Sequence, residues 1–487
     1  MQHSQVLVAN INSLGTSRFH SSSLYTSPRV HARLSMRAKA LCGVGMALFS
    51  LAGCATQRSD SANASLAASP GMLQPAQDLA PAPAPTPALA PTPAPALAPA
   101  PARPARPAPK PAGPRPDAEA VSKEQIEQAV RDGVAHLIKI QSTMERGEDA
   151  ATREWPYEGV YRVAGQIPEG YRVGGTAICA LALIDAPGYA DDEPRKEAVA
   201  KATAFICDGT KISLLSPETY DGGYDVRQWA YIYSIQYLST MKGSVGFPAG
   251  QEAACEAAIK WYLNALQTTE IPKEGGWNYA RRGPKADPSA PSSFMTGTAL
   301  QALFEAKKQG YDVDPGVVDR ALAFLEKTRY ASGAVAYSGT SGERFGTGSA
   351  TPGAVGRMLV VESTLVLAGR GEVAKVRGAL DAFIVHWDWL KVRKQQPGTH
   401  VAPFGVAPYY FMFAHRYAAQ AIELLPAAER PEYRRRVNNL LFSVREEDGS
   451  WNDRVFARSS GYGTAMAMLG MLDSTTTSPA RWEAKAE

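Results

Sequence analysis

The chain has 487 residues, with 51 basic against 47 acidic side chains and a formal net charge of +4. A balance so close to neutral provides no field able to hold a nucleic-acid backbone, which excludes nucleic acid from the expected partners. No C-x-x-C pattern occurs and no histidine stands at ligand spacing from a cysteine, so the sequence asks for no zinc, no other metal and no cofactor.

Residues 36 to 54 read MRAKALCGVGMALFSLAGC: two cations, a short apolar stretch and a Leu-Ala-Gly-Cys box. That is the order of a bacterial lipoprotein signal, with Cys54 as the acylated residue. The apolar stretch is too short to span about 30 Å of hydrocarbon. Residues 1–54 are therefore read as an N-terminal extension and signal peptide, and the expectation is an exported monomer held at the cell-envelope membrane through lipid. Residues 55–116 are dominated by Ala and Pro. Such a stretch cannot bury a core and favours polyproline II, which makes it a disordered spacer.

From 117 to 475 the pattern is helical, and 476–487 is a tail. Six segments are amphipathic: 122–141, 193–206, 251–267, 314–328, 372–390 and 429–444. In the third, Ala254, Ala258, Trp261 and Ala265 form one stripe, and Asp314 with Pro315 reads as the cap and first residue of the fourth. Six others, at 175–184, 226–241, 294–306, 353–369, 407–425 and 461–472, are apolar nearly all round. A helix apolar on every side must be covered on every side. The two kinds alternate at two-helix repeat spacing, so the expected fold is all-α: an (α/α)6 toroid of six inner and six outer helices.

The loops carry their own repeat. Trp155 precedes VGGTAICALALI, Trp277 precedes SFMTGTALQALFEA, and Trp451, after Gly449, precedes YGTAMAMLGML. From Trp155 to Thr176 and from Trp277 to Thr298 the offset is the same. These tryptophans are expected to plug the gap between the two helix layers.

The stretches EEDGSWNDRVFARSSGYGTAMAMLGML, EGGWNYARR and TYDGGYD resemble the Gln-x-x-x-Gly-x-Trp repeats of the prenyltransferase and squalene-cyclase superfamily, with Arg445 and Ile271 standing where the glutamine belongs. The resemblance spans about 120–475 and implies an α/α toroid. It does not carry the family's chemistry across. The Asp-x-Asp-Asp acid of triterpene cyclases is absent, and His136, His386, His400 and His415 do not make a prenyltransferase zinc site.

A central cavity reached by the loops before the inner helices is the default ligand site. The residues offered to it are Asp221, Tyr224, Asp225, Arg227 and Trp229, then His400, Tyr409, Tyr410, His415 and Arg416, and finally Asp453 with Arg454. Residues 338–353, rich in Gly, Ser and Thr, read as a rim loop. Two classes of function stay open: a toroid that binds a hydrophobic or glycan ligand or a protein partner, and an enzyme of the isoprenoid-processing or carbohydrate-cleaving type. The latter would use two carboxylates, such as Asp221 and Asp453, facing each other at about 5 to 9.5 Å. Cys179, Cys207 and Cys255 are read as buried thiols, with one disulfide open after export.

Overall fold

The computed structural model describes residues 119–483 except 144–152, 160–161, 164, 219–225, 280–289, 340–350, 393, 395–403, 405–409, 454–458 and 476–478. Twelve α-helices carry the described residues: α1 (Lys123–Thr143), α2 (Glu169–Asp185), α3 (Glu193–Asp208), α4 (Arg227–Ser244), α5 (Glu252–Thr268), α6 (Ser293–Lys308), α7 (Pro315–Lys327), α8 (Thr351–Leu367), α9 (Val373–Val392), α10 (Tyr410–Glu423), α11 (Arg430–Phe442) and α12 (Ser459–Leu472). No strand is present among them, only isolated bridges. No described helix is long and apolar enough to cross a membrane.

Packing follows the apolar pattern. The even-numbered helices touch in sequence, α2 on α4, α4 on α6, α6 on α8, α8 on α10, α10 on α12, and α12 back on α2. That closes an inner ring, so the chain is an (α/α)6 toroid. The odd-numbered helices lie outside, α3 on α2, α5 on α4, α9 on α8 and α10, α11 on α10, and α1 on α12. Every described residue of α8 from Gly353 to Leu367 is buried, whereas amphipathic α11 buries only Tyr433, Val437 and Leu441.

Local chemistry fixes the helix ends. The Asp314 carboxylate accepts the Gly316 N–H at 2.7 Å with Pro315 in the first turn, as its sequence predicts. Asp192 does the same for the Arg195 N–H at 3.1 Å. The expected stripe of α5 holds in part: Ala258 and Ala265 are buried and Trp261 is half-buried. Ala254 is exposed, and the buried face runs through Cys255, Ile259, Tyr262 and Leu266. One position of rotation places the larger side chains inward, which removes more apolar area from water.

The three loop tryptophans are fully buried and make the same pair of bonds. Each indole N–H donates to a carbonyl of an outer helix: Trp155 to Leu137 at 2.8 Å, Trp277 to Leu266 at 2.8 Å and Trp451 to Leu441 at 2.9 Å. Each backbone N–H donates to a threonine hydroxyl of the next inner helix: Thr176, Thr296 and Thr464 at 2.9, 3.0 and 3.0 Å. The ring fills the gap while its indole N–H bonds the outer helix and its backbone N–H bonds the inner one, which pins both layers. The threonine partner in the second repeat is Thr296, not the equally spaced Thr298, which bonds the Phe294 carbonyl of its own helix. Gly449 sits at φ +85°, a left-handed conformation that favours glycine, and in the place of the expected glutamine the Arg445 guanidinium donates to the Gly449 carbonyl at 2.9 Å and lies over the Trp451 ring. Arg445 also pairs with Asp132 of α1 at 2.6 Å, joining the last repeat to the first.

Candidate functional site at the axis of the ring

The two ends of the inner ring differ. At the N-terminal ends of the inner helices, Tyr157 stacks on Trp229 with centroids 5.2 Å apart, and Tyr171, Tyr233 and Tyr462 pack around them edge-on or tilted. The Tyr157 hydroxyl donates to the buried Asp453 carboxylate at 3.2 Å. Two sequence candidates, Trp229 and Asp453, are thus brought together through Tyr157, which the sequence did not single out.

The other candidates separate. Arg227 is buried and donates to the Ser216 carbonyl at 2.9 Å. Tyr410 packs edge-on against Phe294, with the Arg357 guanidinium 5.7 Å from its ring. His415 does not reach the axis: its Nε2 accepts the Trp387 indole N–H at 2.9 Å and its Nδ1 lies 2.7 Å from the Phe411 carbonyl, in the layer between α9 and α10. Asp221, Tyr224, Asp225, His400, Tyr409, Arg454 and Cys54 lie outside the described residues, as does the separation of Asp221 from Asp453.

His415 has a pH signature. Burial pushes its imidazole down to about 4, against about 6.5 in an unfolded chain. Protons therefore bind on unfolding, and this contribution is intact above about pH 6.5 and lost as pH falls through 6.5 toward 4. The full loss is about 3 kcal/mol. His415→Gln, which keeps an acceptor for Trp387, should flatten the acid limb of a melting-temperature profile between pH 6.5 and 4 and leave its shape above pH 7 unchanged. An identical acid limb in both proteins would assign the sensitivity elsewhere.

The cavity on the axis lies at the opposite end, where the inner helices finish. It has a volume of ≈ 280 Å³ and is lined by Asp185 from α2, Gln236 and Thr240 from α4, Gln301, Glu305 and Lys308 from α6, Arg416 and Gln420 from α10, and Asp473 just past α12. Four of the six inner helices contribute, and the turn after α12 adds Asp473. The Gln301 and Gln420 carboxamides exchange hydrogen bonds of 3.0 Å in both directions, and Gln301 also donates to Thr364 at 3.0 Å. Arg416 is ion-paired with Asp473. Pro479 and Ala480 form part of the wall, held by the Trp482 N–H donating to the Leu367 carbonyl at 3.1 Å and by the Trp482 ring against Phe304. Within the segment read as a tail, the described residues 479–483 thus pack at this end.

The electrostatics of this funnel are shifted toward proton uptake. Burial pushes Asp473 up to about 7 even against its Arg416 partner, with Glu423 and Asp185 adding to the rise. Burial pushes Asp185 up to about 6, Arg416 opposing and Glu305 adding. The carbonyl ends of the inner helices act in the same direction, since a helix C-terminus favours cations over anions. Both acids are protonated more readily folded than unfolded, so their contribution to stability is greatest near pH 4 and is lost as pH rises through about 6 and 7.

A second, larger groove of ≈ 1070 Å³ lies outside the ring between α1 and α11, floored by Ile126, Val130, Ile422, Val437, Met471 and Leu472. Its rim charges pair among themselves, Lys123 with Glu127, Arg434 with Glu423 and Arg195 with Asp192. Asn438, Asp473, Ser474 and Thr475 line it as well, but the axial funnel gathers side chains from four inner helices and is the better candidate despite its smaller size.

No family model matches this chain, and no curated protein matches it. Solved structures give weak matches in shape. Unsaturated glucuronyl hydrolase from Streptococcus agalactiae has a TM-score of 0.47 at 11% identity, covering 74% of this chain and 94% of that one. Cellobiose 2-epimerase from Bacillus thermoamylovorans has a TM-score of 0.47 at 11% identity, covering 72% and 100%. The α-1,6-mannanase from Salegentibacter sp. has a TM-score of 0.45 at 14% identity, covering 71% and 98%.

Proposed function

We propose that this toroid binds a neutral, hydroxyl-rich ligand, a terminal sugar unit of a glycan, in the axial funnel at the C-terminal ends of its inner helices. The observation that carries this reading is the convergence of four carboxamides, three acidic side chains, a lysine and a guanidinium, brought by α2, α4, α6, α10 and the residues just after α6 and α12, on one cavity of ≈ 280 Å³. That set offers both donors and acceptors, which a ring of hydroxyls can engage and a hydrocarbon cannot. The volume suits a single sugar ring rather than a drug-sized or isoprenoid ligand. Arg416 is engaged by Asp473 and the helix ends disfavour anions, so a neutral sugar fits better than a uronate.

A second reading is hydrolysis at the same place. Asp473, pushed up to about 7, and Asp185, pushed up to about 6, have the proton affinities that a general acid and its partner need near neutral pH. The likeness to squalene cyclases concerns the Gly449-x-Trp451 and Gly275-x-Trp277 turns and supports shared architecture, without the cyclase acid.

Thermal melts of the full chain with glucose, mannose, galactose and their neutral disaccharides, beside glucuronic acid and geranylgeraniol, test the proposal. A saturable rise with a neutral saccharide, abolished by Gln301→Leu or Asp185→Asn, is expected. Stabilisation by geranylgeraniol alone would refute it, and release of a monosaccharide would promote the hydrolytic reading.

We further propose that lipid on Cys54 tethers the toroid through the Ala/Pro-rich spacer. The Leu-Ala-Gly-Cys box supports this. Cys54→Ser should abolish labelling by a clickable palmitate analogue and release the protein from membranes; unchanged labelling would rule out that attachment site.

A further inference from the structure

Outer helices α3 and α5 pack against each other and bracket the chain that contains inner helix α4. Cys207 stands one residue before the end of α3 and Cys255 lies in the first turn of α5. Their Sγ atoms are 3.8 Å apart. Both thiols are free in this structure, Cys255 wholly buried and Cys207 8% exposed. A disulfide requires about 2.05 Å between sulfurs, so closing the pair takes less than 2 Å of movement, within the reach of side-chain torsions. The third described cysteine, Cys179, is buried on inner helix α2 beside Gly461 of α12. Proximity therefore selects one pairing of the three that these cysteines allow.

We propose that Cys207 and Cys255 form a redox site, closed to a disulfide by a small-molecule disulfide of the glutathione type and reopened by thiols. Cys207 is the entering nucleophile, because it alone has accessible surface and because the neighbouring Cys255 thiol stabilises its thiolate, drawing it below the usual thiol range. Its thiolate attacks one sulfur of oxidised glutathione, the glutathione S–S bond breaks, and one glutathione thiolate leaves. Cys255, losing its proton to that leaving group, then attacks Cys207 Sγ in the mixed disulfide and expels the second glutathione thiolate. Two protein thiols are oxidised, one glutathione disulfide is reduced to two thiols, and the second leaving thiolate takes up the proton lost by Cys207. The bond closes a loop of 48 residues that includes α4 and ties two adjacent outer helices around it.

Closure of a loop that long restricts the unfolded chain, and for a domain of this size should raise the melting temperature by about 3–5 °C. The test is to reduce the full chain, remove the reductant, expose it to oxidised glutathione and map peptides without reduction. The expected result is a Cys207–Cys255 cross-linked peptide, a higher melting temperature that dithiothreitol reverses, persistence of both in Cys179→Ser, and loss of both in Cys207→Ser and Cys255→Ser. Should the serine variants fail to fold, Cys207→Ala and Cys255→Ala serve the same purpose. Two thiols still alkylated after oxidation and denaturation, a lasting glutathione adduct on Cys207, or a cross-link to Cys179 would each overturn the proposal.

Discussion

Replacing Trp451 with alanine should lower the stability of the toroid by about 3–5 kcal/mol, as truncation of a buried aromatic to alanine does in well-packed cores. Trp451 is fully buried, and the substitution removes both its ring from the gap between layers and the indole N–H bonded to the Leu441 carbonyl. Arg445 also loses the ring beneath it. Trp277→Ala and Trp155→Ala remove the equivalent bonds to Leu266 and Leu137 and should cost similar amounts. At the entropy change of a domain this large, each variant should melt roughly 4–7 °C lower. Melts of the three variants check this, and an unchanged melting temperature for all three would show that the tryptophans do not hold the layers together.

Removing residues 429–475 should have the largest effect of any deletion within the domain. It takes away α11 and α12, and α12 is the helix that closes the ring by packing on both α2 and α10. The apolar sides of α2 and α10 would meet water, and α1 would lose its inner partner. A linear array of repeats can tolerate such a loss because each repeat needs only its neighbours. A closed ring cannot. The truncated protein should be insoluble or molten, binding ANS and lacking a near-UV circular dichroism signal. A soluble monomer with a sharp melting transition would contradict ring closure as the source of cooperativity.

The fold was legible because the two helix classes have opposite requirements. The surface of α11 is charged and that of α8 is apolar all round, and only a two-layer arrangement serves both. Register was less legible. Ala254 and Cys255 are both small and apolar, so the pattern left the face of α5 open by one position, and packing of Ile259 and Tyr262 decided it. Equal spacing pointed to Thr298, while the path of the loop brings Thr296 to the Trp277 N–H. His415 and Arg416 stood together as one candidate patch in sequence, but successive residues on a helix point about 100° apart. One faces Trp387 in the outer layer and the other Asp473 at the axis.

The funnel was not legible, since α2, α4, α6, α10 and the residue after α12 meet there only through closure of the ring. A signal was nevertheless present. Asp185 and Asp473 are each the first acidic residue after an apolar inner-helix run, in ALALID and GMLD, and so occupy matching places in the first and last repeats. Reading the repeat for polar residues at inner-helix C-termini, instead of in the preceding loops, would have paired them.

Hydrogen exchange of the full chain, with and without the neutral saccharide that raises its melting temperature most, tests the central claim most directly. Ligand in the funnel should slow exchange at the C-terminal turns of α2, α4, α6 and α10, in segments containing Asp185, Thr240, Glu305 and Gln420, and leave the loops around Trp155 and Trp451 unchanged. Protection confined to those loops, or no protection from any neutral saccharide at saturating concentration, would contradict it.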